Sequence, residues 1–352
     1  MKRIIALLLC LSMLFSLCAC AGDKDNGKDT TSETEAETVD LSKYETKYPL
    51  TITDHLDREV VIEAKPEKLV SAYYISTSVV IALGLENKLV GIEAKADTRN
   101  IYKHAAPDII ELHSVGTAKN FDVEGCAALN PDLVIIPVKL SGVIEQLEAL
   151  GITVLAVNPE SSEELIQTIA MISKATDTFY RGSSVITEMT RALAKLGERI
   201  SDVEEKPTVY LASNSALLST AGAAMYQNTL IENAGCVNVA KDITDTYWAE
   251  VSYEQLLTWN PDYIVLASDS EYTVESVLED ENLAALDAVK NNRVIKLPGD
   301  IESWDSPVPG SFVGSLWLAS QIHAKEYSVV ECNSVMVKFY KEYYGFTPEL
   351  FE

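Results

Sequence analysis

Two stretches of this chain repeat one pattern. EGCAALNPDLVII begins at Glu124 and EQLLTWNPDYIVL begins at Glu254, an offset of 254 − 124 = 130 residues. The same offset carries Asn130 to Asn260, Pro131 to Pro261 and Asp132 to Asp262. Each copy ends in a short continuous apolar run, the first continuing as LVIIPV (133–138), and similar runs recur in ITVLAV (152–157), TVYLAS (208–213) and RVIKLP (293–298). Runs of four to six apolar residues without polar alternation mark strands covered on both faces, the signature of parallel sheets in α/β folds. The chain therefore reads as one αβ unit written twice, once in each of two lobes.

A small polar residue stands two positions before each Glu, Asp122 in one copy and Ser252 in the other. Both are good N-caps, and Ser252 with Gln255 has capping-box spacing. Glu124 and Glu254 then fall in a first helical turn, where the positive end of the helix dipole favours a carboxylate. The helices should end before Asn-Pro, because Pro disfavours helical geometry in the residue before it. Capping alone is one account of the two acids.

The rest of the chain fits between these landmarks. A hairpin is expected around Asp54-His55-Leu56-Asp57, then a strand over 68–72, a helix over 76–83 and a strand over 89–92. From Ser162 to Val203 the pattern is helical throughout, and Ile186, Met189, Leu193, Leu196 and Ile200 form one apolar face. This predicts a first lobe over 48–177, a long bridging helix over 178–203 (Thr178 to Asp202) and a second lobe over 204–352.

The N-terminus reads as an export signal: Lys2-Arg3, then an apolar run from Ile4 to Leu17 that is too short for a comfortable membrane span. Residues 1–19 are the expected signal peptide and 20–47 an acidic, polar tether unable to bury enough surface to order itself. Removing the leader takes away two positive charges and no acids, moving the formal charge from −25 to −27. That balance speaks against nucleic acid, which selects basic patches. Cys126, Cys236 and Cys332 are too few and too widely spaced for a disulfide framework and read as buried small hydrophobes. There is no GxSxG, P-loop, GxGxxG or Cys/His signature, so no enzyme is indicated. His55, His104, His113 and His323 are scattered rather than clustered, which argues against a bare metal ion.

The doubled Glu-x5-Asn-Pro-Asp pattern resembles the substrate-binding lipoproteins of ABC importers for iron siderophores, haem and cobalamin. Supporting stretches are TITDHLDREVVIEAKPEKLVS, in which Leu56 is read as replacing a customary Gly, then ALGLENKLVGI, NTLIENAGCVNVA, WAEVSYEQLL and LAALDAVKNNRVIKLP, spanning roughly 48–328. The resemblance implies the class III periplasmic-binding-protein fold: two Rossmann-like α/β lobes with parallel sheets bridged by a single long helix. It also implies a monomer that docks Glu124 and Glu254 on an ABC permease dimer with its ATPase, and makes no covalent bond. Leu17-Cys18-Ala19-Cys20 looks like a lipobox, implying lipid on Cys20 and attachment to the extracytoplasmic face of the cell membrane; an ordinary small-residue cleavage site is the alternative.

Ligands of such lobes gather beyond the carboxyl ends of the strands. The residues expected there are Tyr73, Tyr74, Ser76, Thr117, Lys119, Lys139, Asn214, Tyr247, Trp248 and Trp304. Aromatic walls suit flat, polarisable metal chelates, and the lysines could pair with anionic groups. On an extended segment Tyr73 and Tyr74 cannot both face the cleft, so one should be core. Trp259 and Trp317 lie among apolar residues and are assigned to the core. The ligand this implies is a ferric siderophore, with haem or cobalamin as the alternative, and a free-metal binder or a non-transport surface lipoprotein behind them.

Overall fold

A strand covered on both faces sends successive side chains into two different cores. In the computed structural model, which describes residues 44–352, Leu69, Leu133, Ile135, Leu155 and Val157 enter a central apolar cluster. Their neighbours Val70, Val134, Ile136, Val154 and Ala156 fill an outer one. In the second lobe Val209, Leu211 and Val265 join the same central cluster, whereas Tyr210, Ala212, Ile264 and Leu266 fill a third. The expected leader, Cys20 and most of the tether lie outside the described residues.

The first lobe opens with a hairpin, β1 (Leu50–Thr53) antiparallel to β2 (Glu59–Ile62). The buried Asp54 carboxylate builds its turn by accepting from the Leu56 N–H at 2.9 Å and the Arg58 N–H at 3.1 Å. The left-handed position is Asp57, with φ 58°; the residue standing where a glycine would serve is therefore Asp57 and not Leu56. Next come β3 (Leu69–Ser71), α1 (Tyr74–Ala82), β4 (Leu89–Ile92), α2 (Asn100–Ala105) and β5 (His113–Ser114). A small hairpin, β6 (Gly116–Thr117) and β7 (Asn120–Phe121), leads to α3 (Val123–Ala128), β8 (Leu133–Pro137), α4 (Ile144–Ala149) and β9 (Thr153–Val157). Strands β5-β4-β3-β8-β9 form one all-parallel sheet.

Two helices follow, α5 (Ser162–Ala175) and α6 (Phe179–Arg199). The long helix buries Val185, Met189 and Leu196. It approaches α5 so closely at Gly182 that an added Cβ would lie 2.5 Å from Ser173. Near its start Arg181 donates to the Ala82 carbonyl at 2.7 Å and to the Tyr343 carbonyl at 2.9 Å, tying two other helix ends together.

The second lobe contains β10 (Thr208–Ala212), β11 (Ser219–Ala221), α7 (Tyr226–Asn233), β12 (Val237–Asn238), β13 (Trp248–Glu250), α8 (Tyr253–Trp259) and β14 (Tyr263–Leu266). It closes with α9 (Val274–Leu278), α10 (Asp287–Lys290), β15 (Val294–Lys296), α11 (Phe312–Ile322) and α12 (Val329–Tyr343). Strands β12, β14 and β15 run parallel to the β10 direction, but β11 returns antiparallel to β10, and β13 antiparallel to β11. The second sheet is thus mixed rather than parallel. The reason is local: the Ser213 hydroxyl accepts from the Ala216 N–H at 3.2 Å, and this tight turn leaves no room for a crossover helix. No helix among the described residues is long and apolar enough to cross a membrane, and Cys126, Cys236 and Cys332 are buried and unpaired.

The repeated Asn-Pro-Asp has the same structural work in both lobes. Asn130 and Asn260 adopt left-handed conformations, φ 50° and 41°, and so turn the chain out of α3 and α8. Each Asp then holds the backbone that leads into the neighbouring central strand. Asp132 accepts from the Glu67 and Lys68 N–H groups, both at 2.8 Å. Asp262 accepts from the Thr208 N–H and hydroxyl, both at 2.8 Å. Asp262 is half-buried and Asp132 exposed, so the second staple should matter more. Asp262→Ala is expected to lower unfolding stability by about 2 kcal/mol and Asp132→Ala by about 1 kcal/mol. Urea denaturation checks this, and a loss under about 0.5 kcal/mol for Asp262→Ala, the level of an ordinary surface change, would contradict it.

Candidate functional site

The strands of both sheets deliver their carboxyl ends to the seam between the lobes. A cavity of about 50 Å³ lies there. Tyr74, Thr98, Arg99, Asn100 and Tyr102 line it from the first lobe, and Asp269, Gly299, Glu302 and Ser303 from the second. Direct hydrogen bonds across the seam include Tyr74 Oη to Ser306 Oγ at 3.1 Å, Asn100 Nδ2 to the Gly299 carbonyl at 3.2 Å, Ser78 Oγ to Glu302 Oε2 at 3.2 Å, and the pair Ser78 Oγ and Tyr344 Oη at 3.0 Å.

One cation faces this space. The Arg99 guanidinium lies over the Tyr74 ring, 4.2 Å from its centroid, and its Nε is buried without a hydrogen-bond partner. Among the described residues no ion pair reaches Arg99, although Glu93 and Glu302 are close by. Their oxygens are already engaged: Glu93 accepts from the Tyr102 hydroxyl at 2.6 Å and the Thr77 hydroxyl at 2.7 Å, and Glu302 from Ser78 and Tyr340. Burial raises the Glu93 and Asp305 carboxyls and pushes Glu302 up to about 7. Burial thus favours the uncharged form of each of these acids. No group of three or more His, Cys, Asp or Glu among the described residues could hold a metal ion.

Of the ten residues expected at the ligand, Tyr74 is the one that lines this cavity. Tyr73 is half-buried with its ring edge-on to Tyr74, centroids 5.2 Å apart. Both tyrosines are half-buried and pack against the central apolar cluster, so the expected split into one core and one cleft residue is not seen. Ser76 is fully buried and donates to the Tyr73 carbonyl at 2.8 Å, a brace for the loop rather than a wall of the cleft. Thr117 and Lys119 are exposed on the β6–β7 hairpin, where the Thr117 hydroxyl accepts from the Lys119 and Asn120 N–H groups. Lys139 is exposed, its Nζ 3.8 Å from Glu160. Asn214 is exposed, and its carbonyl takes the Glu271 N–H. Tyr247 and Trp248 are 55% and 38% exposed, Trp248 on the terminal strand β13.

Trp304 is the clear correction. It is 1% exposed, not at a pocket edge. Its indole Nε1 donates to the Tyr340 hydroxyl at 2.8 Å and its ring meets Phe351 edge-on. Trp317 is buried as expected, while Trp259 is only half-buried against the core of the second lobe. Arg99, Glu93 and Glu302 escaped sequence reasoning. The signal for Arg99 is its place in DTRN, a loop beyond the carboxyl end of the β4 run.

Glu124 and Glu254 are both exposed in first helical turns, of α3 and α8. The caps come from their neighbours. The Asp122 carboxylate accepts from the Gly125 N–H at 2.8 Å and the Ser252 hydroxyl from the Gln255 N–H at 3.1 Å.

The buried acids make stability depend on pH. Glu302 holds its proton up to about 7 in the folded chain but only to its ordinary 4.5 when unfolded. Between these values the folded state binds more protons, so stability falls as pH rises through that window. The thermal midpoint is expected to drop between about pH 5 and 8, and Glu302→Gln to make that drop shallower. An unchanged slope in Glu302→Gln would count against the assignment.

Comparison with known proteins agrees with this geometry. A family model described as periplasmic binding protein matches residues 69–301. The molybdate-binding protein MolA of Haemophilus influenzae is 25% identical over 319 residues, covering 83% of this chain and 90% of its own. YvrC of Bacillus subtilis, an uncharacterized ABC transporter substrate-binding lipoprotein, is 28% identical, covering 86% of this chain and 91% of its own. The petrobactin-binding protein YclQ of the same organism is 23% identical, with coverages of 86% and 93%. The solved structure of MolA with molybdate superposes with a TM-score of 0.76 at 23% identity, over 86% of this chain and all of that one. Two α/β lobes with a solute-sized gap at their strand ends, matched over most of their length by solute receptors, place the chain in the periplasmic binding protein family, as the substrate-binding component of an ABC importer.

Proposed function

We propose that the protein captures an anionic solute in the cavity between its lobes and presents it to a permease dimer through Glu124 and Glu254. The observation that carries the capture reading is the cavity itself, lined from both lobes beyond the strand ends and furnished with one half-buried guanidinium. The docking reading draws support from the caps. Asp122 and Ser252 satisfy the helix N-termini, so the two exposed glutamates are not needed for capping and are available to basic groups of a two-fold partner. The Leu17-Cys18-Ala19-Cys20 stretch supports a lipid on Cys20 that would hold the receptor at the extracytoplasmic face of the membrane. Binding and release need no covalent chemistry, since ATP hydrolysis on the transporter drives transfer.

A ferric siderophore is the second reading, favoured by the adjacent exposed Tyr247 and Trp248, a platform on which a flat chelate could lie. Because Trp304 is sealed in the core, a chelate on this platform would quench mainly Trp248. Saturable quenching lost in Trp248→Ala is the outcome this reading expects, and quenching that persists in the variant contradicts it.

The docking reading is tested with the transporter reconstituted in vesicles. Glu124→Lys with Glu254→Lys should cut solute-dependent stimulation of ATP hydrolysis at least about tenfold, with solute affinity unchanged and each single variant falling between. Full stimulation by the double variant would remove these residues from the interface.

A further inference from the structure

The unpartnered Arg99 Nε sets a stricter condition on the solute than charge alone. We infer that Arg99, braced on the face of Tyr74, is the receptor for a tetrahedral oxyanion held inside the inter-lobe cavity. This rests on the reading that the cavity is the solute site.

Three observations converge. First, a guanidinium presents its N–H groups in a fixed planar fork that matches two oxygens of an oxyanion. Here the fork is pre-set, because the Tyr74 ring lies 4.2 Å below the guanidinium carbon. Second, Nε is buried with no acceptor, a state that burial makes costly and that a bound oxygen would relieve. The nearest buried acids do not fill this role: both Glu93 oxygens are taken by Tyr102 and Thr77, and both Glu302 oxygens by Tyr340 and Ser78. Asp269, on the opposite wall, is open to solvent and accepts from the Ser303 hydroxyl at 2.7 Å.

Third, the space is small. It measures about 50 Å³, against several hundred for sites that enclose drug-sized ligands. A central atom with four oxygens is of that order; a hexadentate chelate or a macrocycle is not. Admitting one would require breaking the Tyr74–Ser306 and Asn100–Gly299 hydrogen bonds across the seam.

The test is calorimetric titration of the purified protein with molybdate, tungstate, sulfate and phosphate, alongside a ferric catecholate and cyanocobalamin as bulky comparators. At least one oxyanion should saturate at micromolar concentration. Arg99→Gln should weaken it about 100-fold, and Arg99→Lys should recover part of the loss as a point charge without the fork. Thermal midpoints of both variants should stay near that of the parent, separating lost binding from lost folding. Failure of every oxyanion to saturate, or unchanged oxyanion affinity in Arg99→Gln, overturns the inference. If a bulky comparator binds instead and the docking variants still abolish solute-dependent ATPase stimulation, the oxyanion receptor falls while the importer reading stands. If an oxyanion binds through Arg99 but never alters ATPase stimulation, the delivery reading fails and the receptor stands.

Discussion

Burial of both faces of the two sheets governs everything else in this molecule. Residues one apart on β3, β8 and β9 go to opposite cores, and one of those cores is shared by both lobes. Val209 and Leu211 of the second lobe lie in the same apolar cluster as Leu69 and Ile135 of the first, with Val185, Met189 and Leu196 of α6 between. Separating the lobes on that side would expose close-packed apolar surface, at roughly 25 cal/mol for each Å². The strand ends on the other side are joined by a few hydrogen bonds to side-chain and carbonyl oxygens.

The same asymmetry explains how the polar interior is tolerated. Ser78, Glu302, Tyr340, Tyr344 and the indole of Trp304 form one connected set joining the loop after β15, α12 and α1. Each buried polar group in it has a partner, as the low-dielectric interior demands. Arg99 stands at the edge of this set with its Nε unsatisfied. Among the described residues His55, Thr168, Gln227 and Ser311 also leave a buried polar atom without a partner, but Arg99 is the one of the five that lines the inter-lobe cavity.

What could be read from the sequence follows from the range of the interactions involved. The apolar runs at 133–138, 152–157 and 208–213 became buried strands because continuous hydrophobicity is a local property that both faces enforce. The caps at Asp122 and Ser252 were visible because an N-cap acts within three residues. The duplicated motif disclosed the duplicated unit, though not that Asp132 and Asp262 would reach sideways to hold the backbone entering β3 and β10. The mixed second sheet was missed because its cause, the turn at Ser213, is a short polar link that resembles any loop. Trp304 was misplaced because its burial depends on Tyr340, supplied by a helix further along the chain. Arg99 was overlooked for the converse reason. A single Arg in DTRN has the local character of a surface residue, and only the folded positions of Tyr74 and the second lobe make it a lining residue.

The account's central claim is that solute sits between the lobes against Arg99. Crystals grown with tungstate would test it most directly, through the anomalous scattering of tungsten. The account predicts one strong peak in the seam, within hydrogen-bond reach of the Arg99 guanidinium and between Tyr74 and Asp269. A peak confined to the outer surface, or a solute found against Tyr247 and Trp248 with the seam empty, would contradict it.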